Sequence, residues 1–192
     1  SRTLDRLDGF QRRAFEMLTS SRTRDAFDLS GESQATRRRY GENLWGSTMI
    51  VARRLLERRV PFVSVHQDIY KHYGHAYDMH TNNFGMLKDF NLPILDRVIP
   101  ALLEDLEARG LLDSTLVILC GEFSRTPRMN DGGNGGPPGS KGTPGRDHWG
   151  NSLSCLLAGG GIRGGQVIGS TNSKGERPLS RAVTPCNLHA TI

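Results

Sequence analysis

The sequence predicts an α/β fold, a mostly parallel central sheet flanked by helices. Three observations point to it. The elements run helix, strand, loop, helix, strand. The clearest helical stripe, at 93–109, lies between two short β-rich runs, 61–66 and 116–120, as a right-handed crossover between parallel strands requires. Residues able to do chemistry follow those runs: Asp78 and His80 after the first, Glu122 and Arg125 after the second. Open α/β sheets bind ligands at that carboxyl edge.

Each element has its own justification. Residues 3–20 place Leu4, Leu7, Phe10, Ala14, Phe15 and Leu18 at helical spacing. A turn at 28–32 leads into a short basic helix. Residues 43–59 form a second amphipathic helix whose Leu44, Met49, Ile50, Leu55 and Leu56 face a sheet. The run 61–66 (PFVSVH) reads as the first strand. Residues 93–109 carry Ile94, Leu95, Val98, Ile99, Leu102, Leu103 and Leu106 on one stripe, with Pro93 suited to the first turn and Gly110 to the position after the last. Pro100 is expected to kink this helix. Strands follow at 116–120, 152–158 and 166–170, and 188–192 reads as a helix cut short. The Gly/Pro-rich segment 131–145 reads as a flexible loop.

At 192 residues, with 36% hydrophobic and 23% charged side chains, the chain is globular and reads as a single domain over 1–192. It begins with Ser and stops inside an expected helix, so it is expected to be a fragment, incomplete at both ends. The net charge of +5 comes with Arg37, Arg38, Arg39, Arg53, Arg54, Arg58 and Arg59. These read as a solvated helix face. Nucleic-acid binding would call for interleaved aromatics or a known module, and neither is visible. The three cysteines show no CxxC spacing, and Cys120 and Cys155 lie in apolar runs that read as buried. No apolar run is long enough to span a membrane.

The chemistry concentrates in two segments, QDIYKHYGHAYDMHTNNF and 115–149. Asp78, His80, Glu122 and His148 are borderline-to-hard metal ligands, and Arg125 suits bidentate binding of an anion. His148 reaches the same sheet edge only if the strand after it runs antiparallel to its neighbour. Plainer roles stand beside these. Asp78 and His80 suit a polar loop, Glu122 a helix cap or a pair with Arg125, Asp147 a pair with Arg146, and His148 aromatic packing. His66, His72 and His75 divide between surface and support of a site.

The segments RRYGENLWG, FVSVH, YDMHTNNF, GEFSRTPRMN, GRDHWGNS, LLAGGGIRGGQVIG and LHATI, in that order, resemble the carboxyl-terminal half of the domain-of-unknown-function 1501 family. That family is placed in the alkaline phosphatase and sulfatase superfamily. The resemblance implies metal-dependent hydrolysis of sulfate or phosphate esters. It implies metal roles for Asp78, His80, Glu122 and His148, with Asp147 and His75 as supporting neighbours and Arg125 stabilising the anion. The divalent ion would be Zn, Mn, Ca or Mg, and the substrate an anionic ester such as a sulfated or phosphorylated glycan. The nucleophile is expected outside this chain, and export is expected because family members often carry twin-arginine signals. One departure stands out: Phe123 follows Glu122 where relatives have His or Asn. It motivates the alternative of a non-catalytic relative that binds an anionic glycan or protein.

Overall fold

The computed structural model describes residues 9, 11–12, 15–16, 19–67, 77–133 and 142–192. Most of the helix expected over 3–20, together with His72 and His75, lies outside them. The chain divides into two compact units: 1–66 with 97–102, and 67–96 with 103–192.

The first unit is helical. Helices α1 (Ser21–Phe27), α2 (Gln34–Tyr40) and α3 (Leu44–Glu57) each start at a side-chain cap. Ser20, Ser33 and Asn43 accept from the backbone N–H of Thr23, Thr36 and Gly46, supplying partners that a first helical turn otherwise lacks. Ala26, Tyr40, Trp45, Ile50 and Ala52 are buried, as are Val98, Ile99, Ala101 and Leu102. Burying a side chain such as Ile50 stabilises by about 1.5–3 kcal/mol.

The arginines expected on a solvated face are in part internal cross-links. Arg53 is 2% exposed and pairs with Glu32 at 2.8 Å and Glu57 at 2.9 Å. Arg54 pairs with Glu32 at 2.6 Å and donates to the carbonyls of Ala26 and Asp25. Burial alone would raise the pKa of Glu32, but hydrogen bonds from Arg54 and Arg53 outweigh it and hold the carboxyl below its usual range. Sequence alone misplaces these arginines because their carboxylate partner, Glu32, lies more than twenty residues away.

The long stripe forms as expected. A short helix α4 (Asn83–Met86) runs through one π-helical stretch, Leu87–Asn91, into α5 (Leu92–Ala108), with Pro100 inside it. The helix stops where Gly110 takes φ 66°, with Gly110 N–H bonded to Glu107 O and Leu111 N–H to Leu106 O. This double bond pattern around a left-handed residue is the Schellman stop.

The sheet differs from expectation. All three sheets among the described residues are two-stranded and antiparallel. Strand β1 (Leu116–Leu119) pairs with β4 (Leu156–Gly159), β2 (Ser124–Arg125) with β3 (His148–Trp149), and β5 (Ser170–Thr171) with β6 (Pro178–Ser180). The expected first strand, 61–66, has no ladder, and Phe62 is 82% exposed. The parallel pair built on it is therefore absent among the described residues. Local β propensity favours extended backbone, but a strand also needs a neighbour. The run at 152–158 narrows to β4, which ends at Gly159 with φ 71°, where a Cβ would sit 2.3 Å from Thr115 O. Helix α6 (Pro185–His189) opens with a capping box between Thr184 and Asn187.

Candidate metal centre

The antiparallel β1–β4 pair decides where His148 goes. Leu119 faces Leu156, so the chain leaving β1 and the chain entering β4 lie at one end of the ladder. Beyond it, β2 and β3 pair Arg125 with His148 and Ser124 with Trp149. The condition set for His148 is met.

The loop 77–82 is fastened to this ribbon by an asparagine. Asn130 Nδ2 donates to His80 O at 2.8 Å and to Asp147 Oδ1 at 3.1 Å, while its Oδ1 accepts from Gly132 N–H and Gly145 N–H. All four hydrogen-bonding positions of the amide are used. Gly145 is needed for the close approach: a Cβ there would lie 2.2 Å from His80 O. Thr126 completes the frame, its N–H bonded to Asp147 O and its Oγ1 accepting from Asp147 N–H.

Three side chains converge on this frame. Asp78 Oδ1 lies 2.7 Å from His148 Nε2, 3.1 Å from His80 Nε2 and 3.2 Å from Arg125 Nη2. One ligand atom each from Asp78, His80 and His148 falls within a 4.8 Å span. His80 Nδ1 contacts Asp147 Oδ1 at 2.8 Å. A carboxylate on the far nitrogen of a histidine fixes the ring's orientation and raises its basicity as a ligand. The His80 and His148 rings lie 4.6 Å apart, and Phe123 packs on His148 at 4.2 Å. Two imidazoles and a carboxylate suit a borderline divalent ion, so the donor set fits a metal.

The electrostatics agree with the geometry. The hydrogen bond from His148, working against burial and helped by Arg125, holds the Asp78 carboxyl at a pKa of about 2. Asp147 is also lowered, mainly by its hydrogen bond with His80. Burial pushes the neighbouring Tyr77 phenol up to about 12, and its hydroxyl has no hydrogen-bond partner among the described residues.

The expected residues do not all meet. Asp78, His80 and His148 come together, with Asp147 behind His80. Glu122 is exposed after β1 and is not one of the three grouped ligands. Arg125 is only 18% exposed, and besides Asp78 its guanidinium donates to the carbonyls of Tyr77 and Arg146. It braces the Asp78 loop rather than standing open to an anion. The sequence reading missed Asn130 and Thr126, and saw in Phe123 only a lost ligand. An Asn two residues before a Gly is an Asx-turn signal that marks Asn130.

No curated protein and no solved structure matches the chain. A family model described as "Protein of unknown function (DUF1501)" matches residues 1–192. Matched over its whole length, the chain belongs to the DUF1501 family.

Proposed function

We propose that this chain carries one wall of a metal-dependent hydrolase acting on sulfate or phosphate esters, related to the alkaline phosphatase and sulfatase superfamily and its larger, mostly parallel sheet. The observation that carries the reading is the convergence of Asp78, His80 and His148 within 4.8 Å, with Asp147 on the far nitrogen of His80. Those three residues would hold a divalent ion. Among the expected ions, two imidazoles favour zinc over manganese, calcium or magnesium. Such an ion, when bound, polarises an ester oxygen or lowers the pKa of water.

The chain's own groups prepare for that. Asp78 stays ionised far below neutral pH. Asp147 orients His80, Phe123 packs against His148, and Arg125 ties Asp78 to the ribbon. His80 has carboxylates at both ring nitrogens, so Nε2 would be the atom that holds an ion, with Asp147 positioned to accept from Nδ1–H. The non-catalytic alternative relied on Arg125 and the basic helices to bind an anion. Arg125, Arg53 and Arg54 are engaged inside the protein, which removes them as open anion contacts in either reading.

The test uses the protein at its natural length. Release of sulfate and of phosphate from aryl monoesters is measured after chelation and after adding back Zn or Mn. Hydrolysis that vanishes with chelator, returns with metal and is lost in His148→Ala supports the reading. Metal-independent hydrolysis, or none with any ion, overturns it.

A further inference from the structure

The β1–β4 register brings together two cysteines that are 35 positions apart in sequence. Its last pair is Leu119 with Leu156, so the next step outward sets Cys120 opposite Cys155. Directly opposed residues of an antiparallel pair have Cα atoms about 4.5–5.5 Å apart and side chains on the same face. Disulfides span Cα separations of about 4.4–6.8 Å. Both thiols are free and exposed, contrary to the buried role their apolar surroundings suggest. The third cysteine, Cys186, lies on α6, outside this ladder.

We propose that Cys120 and Cys155 are a cross-strand dithiol that closes to a disulfide on exposure to a small-molecule disulfide oxidant. One cysteine thiolate attacks a sulfur of oxidised glutathione, forming a mixed disulfide and releasing one glutathione thiolate. The other cysteine then attacks the protein-bound sulfur, forming the Cys120–Cys155 bond and releasing the second glutathione. The two protein thiols lose two electrons, which reduce the glutathione disulfide, and their two protons end on the two glutathione thiols. The bond closes the segment 121–154, which carries Arg125, Asp147 and His148, at the base of the ribbon that holds the candidate metal centre. The inference rests on register and exposure, not on any metal being bound.

Trypsin separates the three cysteines, onto peptide 110–125, peptide 147–163 and, for Cys186, the peptide that begins at Ala182. The protein is incubated with oxidised glutathione, its remaining thiols are blocked with N-ethylmaleimide, and it is digested without reductant. The expected product is 110–125 linked to 147–163, lighter by two hydrogens than the two peptides together, with the Cys186 peptide unlinked to either. Reduction before blocking abolishes the link, and Cys186→Ser retains it. Peptides 110–125 and 147–163 found only as maleimide or glutathione adducts, or linked to the Cys186 peptide, overturn the proposal.

Discussion

Two clusters of charged and titratable side chains are built on opposite terms. Glu32, Arg53, Arg54 and Glu57 form ion pairs in which Arg53 and Glu32 are almost wholly shielded from water. Asp78, His80, Asp147 and His148 are half-open: Asp78 is 64% exposed and His148 44%. In the first cluster each cation has a carboxylate, and the groups tie α1, the α1–α2 loop and α3 together. In the second, two imidazoles and the Arg125 guanidinium crowd around one carboxylate oxygen of Asp78. Burial makes the loss of one partner in the first cluster costly. Exposure leaves the second free to exchange its internal hydrogen bonds for a ligand. Charge density alone does not distinguish a structural network from a site; solvent access and the direction of the lone pairs do.

The comparison is tested most strongly by breaking the buried network. Arg53→Ala leaves Glu32 with one fewer partner in a shielded place, and is expected to destabilise by about 3–5 kcal/mol, read from denaturant unfolding. Asp78→Ala in metal-free protein is expected to change stability by less than about 1 kcal/mol. Comparable losses in the two variants would erase the distinction.

Metal addition tests the other side. With Zn or Mn at about a hundred times its Kd, unfolding of the natural protein should shift by about 2.7 kcal/mol, and His148→Ala should lose that shift. Arg53 takes no part in the candidate centre, so the buried network should give no metal response of its own.

A smaller effect is expected at Asp147. Asp147→Asn keeps the shape but removes the charge behind His80, and should weaken metal affinity about 10–100-fold, measured by competitive titration against a chelating dye. Unchanged affinity would show that Asp147 only fastens the loop.

The smallest effect concerns acid. The Asp78 pKa is lowered on folding, so its contribution is present above the unfolded value, near 3.8, and declines as pH falls toward about 2. Acid titration of metal-free protein should show that loss in the natural chain and not in Asp78→Asn. The exposure of Asp78 keeps the difference small.

Much of the helical part was legible because helices are written locally. Stripes of apolar residues and the Gly110 stop act within a few positions, and they fixed α3 and α5 closely, whereas α2 was read only as a short helix after the 28–32 turn. The candidate site was partly legible. Asp78, His80 and His148 stand out as residue types in family-like motifs, and the condition on His148 was stated in terms of strand direction. Glu122 and Arg125 read less well, because a residue's place after a strand does not say whether its side chain meets the ligands or braces the backbone.

By itself the sequence determined the two long helices α3 and α5, the family and which residues are candidates for the site; α1 went unread, and the last helix was read at 188–192 where it runs Pro185–His189. Tertiary structure decided the pairing: β1 with β4 antiparallel, 61–66 left without a ladder, Arg53 turned inward onto Glu32, and Asn130 joined to His80. The physical reason is range. Helical hydrogen bonds close over four residues, whereas strand register, buried ion pairs and ligand convergence join residues about 20 to 70 positions apart, and no local pattern encodes which distant partner wins.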